Sequence, residues 1–301
     1  LISERYPERF SLGLLTSSGS LGLLFPPSLP LIIFAVIAET SVNQLFVAGL
    51  VPGLLLIVLL SIYSVVTGSL AAVPRQKISA WEVVKTAYAA KWELLIPVIV
   101  IVGIFGGYVT LGEVAALIVL YSLIVEVLIH REIKLAHMPV IMNQSMVLVG
   151  GILIILGSAL ALTNYLVDAQ VPMHILETMQ SWISSKWVFL IGLNVFLLIV
   201  GCLMDIYSAL LVVVPLILPI AISYDIHPIH LGIIFLTNLE IGYSTPPVGM
   251  NLFISCFRFN KSVLSLYRAA IPFLLILLVG LIIITYVPEL SLGLISILGI
   301  R

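Results

Sequence analysis

The residues best suited to chemistry collect in two short runs. One reads Thr16-Ser17-Ser18-Gly19-Ser20-Leu21-Gly22-Leu23-Leu24-Phe25-Pro26-Pro27-Ser28, the other Thr237-Asn238-Leu239-Glu240-Ile241-Gly242-Tyr243-Ser244-Thr245-Pro246-Pro247-Val248-Gly249. Hydroxyls and side-chain amides offer neutral oxygens to a hard cation such as Na+, and Ser17, Ser18, Ser20, Asn238, Ser244 and Thr245 are the candidates here. A Pro inside a helix removes a backbone donor and clashes with the carbonyl four residues back, and the residue before it is pushed out of helical geometry. Two in a row, with Gly four residues upstream, predict a half-helix, a short unwound piece and a second half-helix in each run. Carbonyls freed at C-terminal ends suit Na+, whereas half-helix N-termini suit a carboxylate.

Laid on each other at a shift of 220, Gly22 falls on Gly242 and Pro26-Pro27 on Pro246-Pro247, with the polar residues upstream in both. A single Pro-Pro reads as a kink in a packing helix, but a matched pair points to a repeat. For any one Ser, helix-to-helix hydrogen bonding worth about 0.6 kcal/mol remains an equal alternative to a site role. Three carboxylates stand out, since an acid at the bilayer centre costs about 2.5–3.5 kcal/mol. Asp205 lies between apolar residues and reads as a cation ligand ahead of a helix cap. Glu240 suits either an ion site or a pairing that orders the unwound chain, and Glu113 reads as the cap of the helix that follows it. His227 and His230 read as interface residues, and Cys202 and Cys256 as apolar filler.

The elements that position these groups are membrane helices. Of 301 residues 61% are hydrophobic and 9% charged, against about a quarter charged in soluble domains. The apolar runs are too long and unbroken for a transmembrane barrel, and a net charge of −1 offers no footprint for nucleic acid. Apolar stretches fall near 11–38, 44–68, 93–130, 138–166, 187–222, 230–256 and 263–287. The third is too long for one crossing and is interrupted at Gly103, Gly106, Gly107 and Gly112, which predicts two helices meeting at a turn. Basic residues mark cytoplasmic loops, here 75–91, 131–134 and 258–268. If 166–186 lies outside, 187–222 must start and finish outside, which makes it a re-entrant hairpin with its tip at Gly201-Cys202-Leu203-Met204-Asp205. Arg5 and Arg9 send the first broken segment outward, whereas the second runs inward. Paired interrupted helices in opposed halves are the sequence signature of a transporter's midplane site.

Enzyme chemistry finds no support. There is no G-x-x-x-x-G-K-[ST], no H-E-x-x-H, and neither a rhomboid-like serine motif nor the Gly-x-Gly-Asp of intramembrane aspartyl proteases. The run Gly19 to Pro30 and the run Asn238-Leu239-Glu240-Ile241-Gly242 followed by Thr245-Pro246-Pro247-Val248-Gly249-Met250-Asn251-Leu252-Phe253 closely resemble the large membrane subunit of tripartite ATP-independent periplasmic (TRAP) transporters. Asp225-Ile226-His227-Pro228 resembles that family's connection after its second hairpin, and the resemblance covers essentially the whole chain.

The resemblance implies an all-α, multi-span helical bundle in the bacterial inner membrane, with inverted repeats, discontinuous helices and a re-entrant hairpin. It implies an elevator-type, Na+-coupled importer of an organic acid, such as a dicarboxylate or sialic acid. A periplasmic binding protein would deliver the acid and a small four-helix membrane subunit would support the large one, with Na+ as coupling ion and no organic cofactor. Carried over, the Na+ sites draw on Ser18, Gly19, Gly22, Asp205, Asn238, Gly242 and Thr245, and the substrate lies between the breaks, by Ser20, Pro27, Ser244, Thr245 and Pro247. The expected division is 1–38 as the first broken helix of a transport domain, 39–92 as a scaffold helix and cytoplasmic loop, and 93–185 as scaffold helices. The second hairpin and broken helix take 186–257, and a C-terminal scaffold helix takes 258–301. Family members carry a Ser-rich first hairpin before the position of Arg5, so these residues are expected to be a piece of a longer protein, with one repeat complete and only the latter part of the other. An ion channel, or a Na+-coupled carboxylate symporter working without a binding protein, is the alternative.

Overall fold

The computed structural model describes residues 6–71, 79–106, 108–169, 185–246 and 249–300, all as helices and connections with no strand among them. Two compact units result, Leu1–Pro74 with Ser158–Arg301, and Arg75–Gly157. Among the described residues five helices are long and apolar enough to cross a membrane, or up to seven if each of two bent pairs counts as one span.

The first unit begins with a broken span. Helix α1 (Glu8–Ser18) ends at Gly19, a 3-10 turn runs Leu21–Leu24, and α2 (Leu29–Ile37) resumes at an angle of 45°. The first break is therefore coiled into one tight turn and extended only from Phe25. Ser28 caps α2 by accepting from the Leu31 amide, and its hydroxyl donates to the Leu23 carbonyl, which ties the two half-helices together. Helix α3 (Val42–Leu70) follows, with Pro52 inside it.

In the second unit α4 (Ala80–Ala89) and α5 (Lys91–Phe105) meet at a sharp bend, and α6 (Leu111–Leu123) continues as a π-helix over Ile124–Ile129. The long apolar stretch is thus two helices joined by a turn, as its glycines require. Thr110 and Glu113 form a reciprocal capping box at the start of α6, the role expected of Glu113. Helix α7 (Met138–Asp168) leads back to the first unit.

Helices α8 (Lys186–Leu203) and α9 (Ile206–Ser223) are separated by Met204-Asp205, inside the tip read from the sequence. Each leans mainly on a different neighbour, α8 on α10 (Pro228–Gly242) and α9 on α2. The chain breaks again after α10 and resumes as α11 (Met250–Phe259), and α12 (Val263–Tyr286) and α13 (Glu289–Leu298) complete the unit.

The shift of 220 seen in the motifs extends, to within one residue, through three elements. Helix α1 starts at residue 8 and α10 at 228, the second half-helices start at 29 and 250, and the long helices at 42 and 263. Pro52 in α3 and Pro272 in α12 fall at the same shift, a third match that the apolar background conceals in the sequence. Packing is reciprocal too: α1 meets α12 as α10 meets α3, α1 meets α11 as α10 meets α2, and α2 meets α3 as α11 meets α12. Helices α3 and α12, expected in a scaffold, pack directly on the broken helices. At Gly13 a Cβ would sit 2.2 Å from the Ala269 carbonyl oxygen, and at Gly49 2.2 Å from that of Leu24, so these helices meet backbone to backbone.

Candidate functional site

Helix α10 is the centre of the first unit, with every residue from Ile229 to Gly242 buried. A polar group there must find its partner inside the protein, and α10 carries His230, Thr237, Asn238 and Glu240. Thr237 donates to the carbonyl one turn back, Ile233, at 2.7 Å. Asn238 donates through Nδ2 to Asn194 Oδ1 on α8 and to the Ile234 carbonyl, both at 2.8 Å. Asn194 in turn donates to Thr285 Oγ1 at 3.1 Å. His230, buried, lies 3.2 Å from Ser291 Oγ and 3.3 Å from the Thr285 carbonyl. One buried polar chain therefore runs from Asn238 across α8 and α12 to α13.

The hairpin tip sits on the end of α10. A Cβ on Gly242 would lie 2.6 Å from the Gly201 carbonyl carbon and 2.7 Å from its Cα. This is a place where only glycine fits, because the neighbour is backbone. One residue further on, the Tyr243 hydroxyl accepts from the Ile206 amide at 2.5 Å, which fastens the second break to the first turn of α9. Asp205 is the N-cap of that helix. Its Oδ2 accepts from the amides of Tyr207 and Ser208 at 3.0 and 3.1 Å, and its Oδ1 from the Ser208 hydroxyl. The capping role thus accounts for both oxygens, and Asp205 remains half-buried beside the break.

The break folds back on itself. Thr245 donates its hydroxyl to the Ile241 carbonyl at 2.8 Å, the Asn251 amide donates to the Tyr243 carbonyl at 3.0 Å, and Gly249 turns the chain at φ +47°. Ser244 is fully buried and accepts from Asn251 Nδ2 at 3.5 Å. Gly19, at the end of α1, faces the same amide, since a Cβ there would lie 4.0 Å from Asn251 Nδ2. Thr16 donates to Ser255 Oγ at 2.9 Å, and Ser20 donates to the Glu240 carbonyl at 3.3 Å. Ser20 and Glu240 are the residues that the shift of 220 superposes.

The structure thus brings Asn238, Gly242, Thr245 and Asp205 to one end of α10 and joins Ser20 to it. Ser18 is half-exposed, and Gly19, Gly22 and Pro27 are exposed. Pro247 lies outside the described residues. Asn194, Tyr243, Asn251, Ser255 and Thr285 escaped the sequence reading. Asn194 had a signal, being the one amide in the apolar run of α8.

Several buried oxygens at these runs have no hydrogen-bond partner among the described residues: Ser17 Oγ, Asn238 Oδ1 and both carboxylate oxygens of Glu240. An orphaned buried acceptor calls for an explanation, an ion among them, and hydroxyl, amide and carboxylate oxygens are of the chemical type that a hard cation such as Na+ takes. No group of three or more His, Cys, Asp or Glu suited to a metal exists among the described residues. Cavities of about 350, 300 and 470 Å³ lie elsewhere, at the Glu8–Arg268 seam, beside His227 and Ile295, and along α4 and α5.

Residues 1–290 match the family described as the tripartite ATP-independent periplasmic transporter, DctM component. The chain belongs to the DctM family. Among DctM relatives, the C4-dicarboxylate TRAP transporter large permease protein of Pseudomonas aeruginosa is 39% identical, over 99% of this chain and 70% of the relative. The isethionate TRAP transporter permease protein DctMQ of Oleidesulfovibrio alaskensis is 32% identical, over 96% of this chain and 46% of the relative. The ectoine/5-hydroxyectoine large permease protein of Ruegeria pomeroyi is 32% identical, over 97% and 68%. DctM proteins are permeases of the inner membrane, which places this chain there as a multi-pass protein and among transporters rather than enzymes.

Proposed function

We propose that the chain is the membrane-spanning core of a Na+-coupled importer that moves a small organic acid by an elevator mechanism. A periplasmic binding protein delivers the acid, and a small four-helix membrane subunit assists. The observation that carries this reading is the contact of the two breaks at repeat mates, Ser20 to the Glu240 carbonyl. Two half-helix breaks meeting on their own axis, with opposite directions through the membrane, make an inverted repeat whose site lies at its centre. Na+ would be held by carbonyls around Gly242, by the Thr245 hydroxyl and by the Asn238 amide, with Asp205 and the Ser18–Gly22 stretch contributing. When bound it supplies positive charge at the breaks. The chain's own part is to hold these oxygens fixed through the Asn194 bond and the Gly201–Gly242 contact.

Relatives are named for a C4-dicarboxylate, isethionate and ectoine, all of which carry a carboxylate or sulfonate. Such an anionic group fits the N-terminal ends of α2 and α11, with Ser20, Pro27, Ser244 and Thr245 as its neighbours. The moving body of the elevator is the first unit, because α3 and α12 are interlocked with the broken helices at Gly49 and Gly13. The open space at Gly22, where a Cβ would meet nothing within 4 Å, mirrors the surface that Gly201 covers on Gly242, and the family's first hairpin is its natural occupant.

Uptake into proteoliposomes tests the proposal, with the full-length chain, its partner subunit and its binding protein. Transport should require both an inward Na+ gradient and the binding protein, and Asp205→Ala with Thr245→Ala should abolish it. Uptake that ignores the gradient, or normal uptake by the double variant, would sink the assignment.

A further inference from the structure

A cavity of about 350 Å³ opens between the start of α1 and the start of α12, lined among others by Glu8, Arg9, Leu12, Lys261, Leu264 and Arg268. Both helix starts lie on the cytoplasmic side by the distribution of basic residues. Three cations therefore face one carboxylate. Lys261 Nζ binds Glu8 Oε1 at 2.6 Å, and Arg9 is pinned across the seam by donating Nε and Nη2 to the Arg268 carbonyl at 3.3 and 2.9 Å. The backbone contact of Gly13 with Ala269 one turn deeper holds the two helices together beneath the cavity. Neither the cation coupling nor the breaks use these groups.

A second observation names the ligand. An apolar stripe starts at the cavity and runs down the outer face of α12: Leu264, Ile271, Leu275, Val279 and Ile282, each 50–59% exposed. Their spacing of seven, four, four and three keeps them on one face, and exposed Arg268 lies on it too. From Leu264 to Leu275 the rise is about 16 Å, roughly half of the ~30 Å hydrocarbon core and so the depth of one leaflet.

We propose that this cavity is a binding site for an anionic phospholipid of the inner leaflet, with its phosphate diester among Arg9, Lys261 and Arg268 and an acyl chain along the α12 stripe. Basic pockets between membrane helices on the cytoplasmic side suit anionic headgroups, and the stripe separates a lipid from a free phosphate, which has nothing to lay there. Glu8 holds the place of the anion when lipid is absent and is displaced from Lys261 when it binds.

The test is native mass spectrometry of the full-length transporter complex, delipidated and then offered phosphatidylglycerol, phosphatidylethanolamine or inorganic phosphate. Phosphatidylglycerol should be retained in preference to phosphatidylethanolamine and should resist an equal concentration of inorganic phosphate. With about fivefold per basic residue at a membrane surface, Lys261→Gln with Arg268→Gln should reduce retention about thirtyfold. Glu8→Gln removes the competing carboxylate without touching the cations and should raise retention several-fold, which decides the matter even if the double variant fails to assemble. Equal retention of the two lipids, displacement by inorganic phosphate, wild-type retention in the double variant or no rise in Glu8→Gln would each overturn the assignment.

Discussion

Gly242→Ala is the sharpest perturbation of the proposed site. The new Cβ would sit 2.6 Å from the Gly201 carbonyl carbon, 2.7 Å from its Cα and 3.0 Å from the Cys202 amide nitrogen, whereas ordinary contact begins at 3.4 Å. All three atoms are backbone, so no rotamer change relieves the clash. The tip of the α8–α9 hairpin and the end of α10 must separate by about 0.8 Å, the difference between 3.4 and 2.6 Å. Overpacking of this kind costs about 1–3 kcal/mol, and at roughly 2–4 °C per kcal/mol for a chain of this size the thermal midpoint should fall by several degrees. Function should fall further than stability, because the contact fixes Asp205 relative to Thr245, and a misplacement of about 1 Å in a preorganised site costs on the order of a hundredfold. The assay pairs thermal unfolding in detergent with initial Na+-driven uptake rates for the full transporter. Gly192→Ala on α8, the helix that carries Gly201, is the control, since its Cβ meets nothing within 4 Å, and it should leave both quantities near wild type. If Gly242→Ala kept wild-type uptake and midpoint, the hairpin tip would not be what positions the break, and the argument from its close approach would be refuted.

Other expectations follow from the same geometry. Asp205→Asn keeps a good N-cap and should change the thermal midpoint little, yet a cation role needs the charge, so Na+-dependent uptake should collapse; retained uptake would leave only the cap. Asn194→Ala removes the bond that orients Asn238 and should cost about 0.6–1.7 kcal/mol while raising the Na+ concentration needed for half-maximal uptake; an unchanged Na+ dependence would separate Asn238 from the ion. Ser20→Ala deletes the bond that joins the two breaks, and thermal unfolding should register about 0.5–1.5 kcal/mol, with uptake slowed more than that loss explains. In a chain that includes the family's first hairpin, Gly22→Ala should cost as much in thermal unfolding as Gly242→Ala, and a neutral outcome would mean that nothing covers Gly22.

The punctuation of the fold was legible in the sequence because proline and glycine act locally. Both Pro-Pro breaks, the turn between α5 and α6 and the hairpin tip at Met204-Asp205 lie where ring strain, missing donors and small residues demand them. Packing between helices was not legible. In a chain this apolar, hydrophobicity does not tell lipid-facing from buried positions, so nothing in Pro228–Gly242 announces that every residue from 229 on is enclosed. Nor does it reveal that α3 and α12 belong with the broken helices, since the signal lies in isolated residues, Gly13 and Gly49, that meet a carbonyl far away in sequence.

The carboxylates make the same distinction sharper. Asp205 and Glu240 looked alike from sequence, each an acid set among apolar residues inside a discontinuous element. Asp205 has its charge answered locally by two amides and a hydroxyl within three residues, so its geometry is complete as it stands. Glu240 has no hydrogen-bond partner for either oxygen among the described residues although it is fully buried, and its backbone carbonyl takes the bond from Ser20 instead. A buried acid without a hydrogen-bond partner among the described residues calls for an explanation. The residue that a shift of 220 lays on Glu240 is a serine rather than a second acid. Where a shift of 220 would call for a second acid, a hydroxyl that reaches the Glu240 carbonyl stands instead, whereas Gly22 and Gly242 and the Pro-Pro pairs stay matched.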